Sequence, residues 1–421
     1  MTWPEALSFL NSLVNYEQTG GYTKSLEPFR ELLARLGNPH EARARKLLIV
    51  GTKGKGSVVA HICRALVNAG FTVGAYTSPH MLDLAERIAI QGEPIDHDEL
   101  AMLIGRIKPY VQARHGYATY FEILTAAAFI CFGERKVDWW VLEAGLGGRL
   151  DATNAVHQEI TVITRLGLDH THVLGHTIPE IAREKSAVIK GGVVITCGQE
   201  PEAMAVVEEY CGRARARLVV PDFSVARSDL TGNEISLGGK TFRTPLPGLF
   251  QTENLALSCA ALGEMGVDEL DFSGVSHPGR FQVVPGDVPA ILDGAHNPLA
   301  LKELISEVSR LFPGKGMVVV FGSSRLKDTG GMLGLLRGAR LVILTRANTP
   351  RAGEPFMFAR DAGRFGLDFA RTRAVPEALC LARERARPGE IILVTGSLYV
   401  VGEALGWLAG SRVGPVKPEH S

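Results

Sequence analysis

This chain has no excess charge of either sign. Its 421 residues carry 45 Lys plus Arg and 45 Asp plus Glu, a formal net charge of zero, with no long basic run. Nucleic-acid binders concentrate positive charge on one domain, so no nucleic-acid partner is expected. Paired cysteines are also missing. Cys63, Cys131, Cys197, Cys211, Cys259 and Cys380 are scattered without a Cys-x-x-Cys, which argues against a zinc site or disulfide framework and for buried, reduced thiols. No uncharged apolar run approaches the length that spans a bilayer. The start, MTWPEALSFL, lacks the basic and sustained apolar regions of a signal peptide. Internal repeats and low-complexity tracts are absent too. A soluble cytoplasmic protein without a membrane partner is expected, and any anionic ligand must be met by local groups.

The chain does have length and 46% hydrophobic residues, enough for two domains with buried cores. Short apolar runs alternate with helical patterns. KLLIV (46–50), TVGAY (72–76), DWWVL (138–142), TVIT (161–164), VVIT (193–196) and LVV (218–220) read as buried strands. Between them, 57–69 places Val58, Ile62, Ala65, Leu66 and Ala69 on one helical face, with Gly70 as a stop. That alternation predicts an α/β fold with a mostly parallel sheet. VVPGDVPA (283–290) reads as a hinge. AILD, MVVVFG, ARLVILT and IILVTG then restart the pattern as a smaller doubly wound α/β domain. The expected domains are 1–284 and 285–421, with a frayed tail at 414–421.

GTKGKGS (51–57) joins a predicted strand to a predicted helix. Backbone amides and the helix dipole converge on an anion in that setting, with Lys55 able to reach terminal phosphates and Ser57 to ligate Mg²⁺. The usual Walker A spacing is not met, since Ile49 stands where its first glycine belongs and Gly56 separates Lys55 from the hydroxyl. A glycine-rich solvated turn is the bland alternative. Glu143 closes the strand in VDWWVLEAGLGGRLD, where an acid of a parallel sheet points into the ligand crevice; capping the next turn is an equal reading. RLGLDHTHVLGHT (165–177) gathers Asp169, His170, His172 and His176, but with no zinc spacing, so solvated loop histidines are favoured. Lys185, on the amphipathic EIAREKSAVIK (180–190), reads as a surface charge. In LDGAHNP (292–298), Asn297 before Pro298 suits a helix N-cap, and Asp293 and His296 close a strand. Arg280 in HPGRFQ (277–282) is by default solvated.

Taken together and in order, GTKGKGS, YTSPHM, YFEILTAAAF, LEAGLGGRLDATN, LGLDHTHVLGHT, IAREKSAVIK, FQTENLALSCAAL, HPGRFQ, LDGAHNP and VTGSLYVVGEAL resemble folylpolyglutamate synthase and dihydrofolate synthase, within the Mur ligase superfamily. The resemblance covers nearly the whole chain. It implies an N-terminal ATP-binding domain and a C-terminal glutamate-ligase domain. Gly51, Thr52, Gly54, Lys55, Gly56 and Ser57 would cradle phosphate, with Lys55 on the terminal phosphates. Ser57, Ser78 and Glu143 would surround one Mg²⁺. His170 would ligate a second, together with Lys185 in carbamylated form. Asn254, Arg280 and Asp293 would contact the nucleotide, Arg280 and Asp293 being expected partly exposed. His296 and Ser397 would lie near the incoming glutamate, and Phe121 where the pterin packs. Lys53 stands where the family often has Asn, and Met81 where Leu is commoner.

The implied chemistry is a carboxylate–amine ligation. A substrate carboxylate takes the γ-phosphoryl of ATP, and the amine of L-glutamate then expels phosphate from the acyl phosphate. The implied catalytic groups are Lys55, His170, Lys185 and His296. The expected partners are ATP, L-glutamate and dihydropteroate or a reduced folate, on a monomer. Another Mur-type ligase acting on a muramyl substrate is the alternative; TSPH, YFE and the lack of an extra N-terminal UDP-binding domain favour the folate reading. A nucleotide-binding protein without ligase activity is the third reading, and the set Ser57, Glu143, His170 and Lys185 argues against it.

Overall fold

The computed structural model describes residues 1–16, 23, 25–112, 118–325 and 327–410. The tail 414–421 lies outside the described residues. The chain gathers into two compact units. One comprises Met1–Arg227, Asn233–Pro245 and Phe250–Ser276; the other comprises Ser228–Gly232, Leu246–Leu249 and the chain from His277 on.

In the first unit the short apolar runs become strands because helices carry the chain back between them, which sets successive strands parallel. The strands are β1 (Arg45–Val50), β2 (Val73–Tyr76), β3 (Ile88–Ile90), β4 (Glu93–Pro94), β5 (Trp139–Glu143), β6 (Ile160–Ile163), β7 (Val193–Thr196) and β8 (Arg217–Val219). They lie in the order β4-β3-β2-β5-β1-β6-β7-β8, parallel from β2 to β8, with β3 and β4 antiparallel at the edge. Glycine-rich or polar segments follow β2, β5, β1 and β6. These four neighbours therefore bring YTSPHM, LEAGLGG, GTKGKGS and RLGLDH to one edge of the sheet. The helix Tyr120–Glu134 is apolar all round and almost wholly buried, as expected of a helix covered on every side. Its start is fixed by the Thr119–Glu122 capping box. A separate three-stranded sheet, β9 (Phe223–Asp229), β10 (Gly232–Leu237) and β11 (Lys240–Thr244), is far more polar.

The second unit holds β12 (Gln282–Val284), β13 (Ala290–Leu292), β14 (Met317–Phe321), β15 (Leu341–Leu344), β16 (Phe369–Arg371) and β17 (Ile391–Thr395), in the order β12-β13-β17-β14-β15-β16. All are parallel except β12, which pairs antiparallel with β13, Gln282 opposite Leu292. A division after residue 284 would separate this pair, and residues from His277 cluster with the second unit. Asn297 caps the helix Pro298–Leu311 by accepting from Ala300 N at 2.8 Å, with Pro298 at its first position. All six cysteines are free; Cys380 is exposed and the others are buried. Among the described residues no helix is long and apolar enough to cross a membrane.

Trp140 anchors the first unit's core. It is fully buried on β5, stacked on Phe129 at 5.5 Å and edge-on to Phe132 at 5.6 Å, with Lys46 Nζ 4.9 Å from its ring. Trp140→Ala leaves a large cavity and removes these aromatic contacts, and we expect a loss of about 3–5 kcal/mol. Urea denaturation of the two proteins measures it; a difference under about 1 kcal/mol contradicts the assignment.

Candidate active site

β1 ends at Val50, and the chain turns at Gly51 toward the helix Lys55–Asn68. A Cβ on Gly51 would lie 1.9 Å from Thr164 Oγ1 at the end of β6, so only glycine allows this approach. Thr52 N and Lys53 N donate to Arg165 O at 3.0 and 3.2 Å. Thr52 Oγ1 donates to Gly167 O and accepts from Gly167 N, both at 3.1 Å. The first amides of the loop are thus spent on the segment after β6. Gly54, in the left-handed region at φ 87°, caps the helix without any side-chain acceptor. A helix start of this kind presents backbone amides and the positive dipole end to an anion. The part of GTKGKGS that can cradle a phosphate therefore narrows to Gly54, Lys55, Gly56 and Ser57. Lys55 Nζ lies 3.3 Å from Gly51 O, to which it donates, and 3.9 Å from Glu143 Oε1.

Glu143 is the last residue of β5 and pairs in register with Ile49 of β1. It is buried, and its Oε2 accepts the Ser78 N–H at 3.3 Å. A Cβ on Gly145 would lie 2.7 Å from the Phe121 ring and 3.3 Å from Ser78 Oγ, so Glu143, Ser78 and Phe121 share one corner. Asp151 holds the turn after Glu143. It is buried and accepts from Gly145 N at 2.9 Å, Leu146 N at 3.0 Å, Thr153 N at 3.0 Å and Thr153 Oγ1 at 2.5 Å. Burial pushes its pKa up, and these bonds oppose the rise.

Lys185 is not a surface charge. It is 6% exposed, near the end of the helix Ile178–Ser186, and its Nζ donates to Gly51 O at 2.8 Å. The helix looks amphipathic because Glu180 and Arg183 are exposed on it, whereas Lys185 faces the phosphate loop. Burial, and next the positive charge of Lys55, push the Lys185 pKa down to about 7; Asp169, Asp151 and Glu184 oppose the shift. His170, in the left-handed region at φ 49°, begins the short helix Thr171–Leu174, with its Nε2 3.9 Å from Asp169 Oδ1. His172 and His176 are exposed. Among the described residues no three His, Cys, Asp or Glu side chains are placed to hold a metal together. Asn254, buried on the helix Phe250–Glu264, closes the other side of the loop, since a Cβ on Gly54 would lie 2.2 Å from Asn254 Oδ1.

In the second unit β13 and β17 are neighbours, and their carboxyl ends bring four expected residues together. Asp293 follows β13, Ser397 follows β17, and Gly396 N donates to Ala295 O at 2.9 Å, next to His296. His296 Nδ1 lies 2.9 Å from Gly294 O, within hydrogen-bonding distance. A Cβ on Gly294 would lie 3.5 Å from Arg280 Nη1, so Arg280 belongs to the same corner. Arg280 is half-buried, but Asp293 is buried rather than partly exposed. Its carboxylate accepts from Phe281 N and Ala295 N, both at 2.8 Å. Burial raises its pKa; the Arg280 charge and these two amides lower it.

Sequence reading missed Asp151, Arg165 and Thr164. Asp151 carried a signal, because Asp followed two residues later by Thr is a common turn-forming pattern. Arg165 acts through its carbonyl and Thr164 through its proximity to Gly51, and neither leaves a trace in residue type. The burial of Asp293 has a direct consequence. Asp293→Ala strands two buried amides and we expect it to cost about 2–4 kcal/mol of stability, whereas Arg280→Ala should change stability by under about 1 kcal/mol. Thermal and urea melts of the two variants compare them; equal, small losses would contradict a structural role for Asp293.

Residues 279–398 match the family described as Mur ligase, glutamate ligase domain. A dihydrofolate synthase/folylpolyglutamate synthase of Bacillus subtilis (strain 168) is 35% identical over 416 residues, spanning 91% of this chain and 94% of the relative. The E. coli FolC structure in complex with DHPP and ADP superposes with a TM-score of 0.86 at 29% identity, over 98% of this chain and 99% of that one. A bifunctional folylpolyglutamate synthase/dihydrofolate synthase with Mn, AMPPNP and L-glutamate bound superposes with a TM-score of 0.83 at 28% identity, over 97% and 98%. Sharing both sequence and fold with these proteins over almost its whole length, this chain belongs to the dihydrofolate synthase/folylpolyglutamate synthase family.

Proposed function

We propose that the protein is an ATP-dependent carboxylate–amine ligase that adds L-glutamate to dihydropteroate, to the glutamate tail of folates, or to both. The observation that carries this reading is the phosphate-loop corner of the first unit, where Gly54–Ser57, Lys55, Glu143, Ser78 and Phe121 meet, in a chain whose relatives bind ADP, DHPP, AMPPNP, Mn and L-glutamate. The unit made of Met1–Arg227, Asn233–Pro245 and Phe250–Ser276 then serves as the ATP-binding part, and the chain from His277 on as the glutamate-ligase part. The protein works as a cytoplasmic monomer.

A carboxylate oxygen of the pterin substrate attacks the γ-phosphorus of ATP, and ADP leaves. The amine of L-glutamate then attacks the acyl carbon of the resulting acyl phosphate; phosphate leaves and the amine gives up a proton. The reactants are anionic, so positive charge must be supplied locally in a chain with no net charge. Lys55 and the amides from Gly54 onward meet the terminal phosphates. Asn254, Arg280 and Asp293 contact the nucleotide, His296 and Ser397 orient the incoming glutamate, and Phe121 packs on the pterin. Ser57, Ser78 and Glu143 are hard oxygen donors, the type Mg²⁺ takes, and would hold one ion; His170 with a modified Lys185 would hold a second. When bound, the metal screens the phosphate oxygens against the attacking carboxylate.

The surroundings of Lys185 support its modification. A buried ammonium beside Lys55 is disfavoured, and the neutral amine is a nucleophile. Its nitrogen adds to the carbon of CO₂, one C–O π pair moves to oxygen, and the nitrogen loses a proton. The product is a carbamate, which carries the hard oxygens that the amine lacks. The amine has a lowered pKa, so the reactive neutral form dominates above about pH 7 and is lost below it.

The decisive experiment is ATP-dependent coupling of labelled L-glutamate to dihydropteroate, and separately to a reduced folate monoglutamate. Incorporation into at least one substrate, abolished in a folded Glu143→Gln variant, is expected; no incorporation into either, or full activity of Glu143→Gln at limiting Mg²⁺, rejects the reading. For Lys185, activity should fall after exhaustive CO₂ removal, return with bicarbonate, and return less completely as the pH drops below about 7. Labelled bicarbonate should give a carbamate carbon resonance that is missing in Lys185→Ala. Wild-type activity in CO₂-free buffer together with no such resonance rules the carbamate out.

A further inference from the structure

Gln251 is a buried polar group to which no role has been given. It lies in the first turn of the helix Phe250–Glu264 and is fully buried. Its Oε1 accepts Asn254 Nδ2 at 2.9 Å, and among the described residues its own Nε2 has no partner. One turn further on, Ser258 Oγ donates to Asn254 O at 2.7 Å, so the backbone at Asn254 is tied as well.

A carboxamide is nearly symmetric in shape but not in chemistry. Turning it by half a circle exchanges an acceptor for a donor at almost no steric cost. The bond to Gln251 couples the two side chains, so that Asn254 keeps it on turning only if Gln251 turns as well. With Nδ2 committed to Gln251 Oε1, Asn254 Oδ1 is the atom packed against Gly54 of the phosphate loop. An oxygen there is a hydrogen-bond acceptor. It is unfavourable beside phosphate oxygens, which only accept, and favourable beside a donor. In a nucleoside triphosphate the donors are the base amino group and the ribose hydroxyls. Fixing the orientation in advance also spares the ligand the cost of ordering this side chain.

We propose that Gln251 is a positioning residue for the nucleotide: it sets the Asn254 carboxamide so that its oxygen accepts from a base amino or ribose hydroxyl group of the bound nucleoside triphosphate. The inference rests on the reading of Asn254 as a nucleotide contact. Gln251 acts only through Asn254.

The test is a double-mutant cycle on the full chain, read as the dissociation constant of AMPPNP with Mg²⁺ by calorimetry. Gln251→Met is close in volume and lacks the acceptor; Gln251→Ala runs in parallel in case the methionine variant fails to fold. Either should weaken binding about three- to tenfold, the value of one hydrogen bond. Gln251→Glu keeps an acceptor toward Asn254 Nδ2 at the cost of burying a carboxyl, so it should bind more tightly than Gln251→Met though less tightly than wild type. In an Asn254→Ala background, Gln251→Met should have no further effect. Additive losses in the cycle, or wild-type binding by Gln251→Met and Gln251→Ala, overturn the proposal while leaving Asn254 as a contact. Unchanged binding by Asn254→Ala alone overturns the nucleotide reading of that residue, and the proposal with it. A merely structural Gln251 would lower the melting temperature without this non-additivity.

Discussion

The site of the first unit depends on how closely the backbone at Gly51 passes the Thr164 hydroxyl. β1 and β6 are neighbours, and at their carboxyl ends the chain at 51 must clear a side chain that leaves no room for a Cβ. Given that approach, Thr52 and Lys53 can donate to Arg165 O, and Thr52 Oγ1 can exchange hydrogen bonds with Gly167. The loop then leaves Arg165 in the direction that starts the helix at Gly54. Gly51 O is left as the acceptor for two lysines, Lys55 and Lys185, the second of them 134 positions away. A side chain at 51 would disturb the phosphate loop, the segment leading to His170, and the lysine pair together.

A second constraint is the treatment of buried charge. Lys185, Asp151 and Asp293 are each buried, and burial dominates the shift of each pKa. Burying an ionisable group is costly unless polar partners replace water. Here the partners are mostly backbone: one carbonyl for Lys185, three amides for Asp151, two amides for Asp293. Backbone partners belong to turns, so each charge also fixes a turn beside a proposed ligand position. The two aspartates do this after β5 and β13. Neither has to touch a ligand to matter.

The parallel sheets were legible because their strands are buried on both faces and so read as unbroken apolar runs. KLLIV, DWWVL and VVIT fall within one residue of β1, β5 and β7. β9 was not legible, since several of its residues are exposed and it has no apolar alternation to read. The phosphate loop was visible as glycines and lysines, but not which of its amides were already used, because that depends on the carbonyl of Arg165. Lys185 was misread for a related reason. Helical periodicity tells which residues share a face; whether that face meets water or the Gly51 carbonyl depends on strand order, which periodicity does not carry.

Strand order also explains why the motifs mean more together than singly. β2-β5-β1-β6 are consecutive in the sheet but not in the chain, so the segments after them are distant in sequence and adjacent in space. In a parallel sheet all four segments emerge at the same edge. A glycine loop, a serine before proline, an acid closing a strand and a histidine after one each have an ordinary explanation. Their joint occurrence at four adjacent strand ends does not, because a solvated turn needs no acid beside it and a cap needs no lysine 3.9 Å away. The neutral chain concentrates Lys55 and Lys185 against a loop whose helix end is also positive. Two like charges held this close, with the burial of one, favour either an anion that satisfies both or a lysine that gives up its charge.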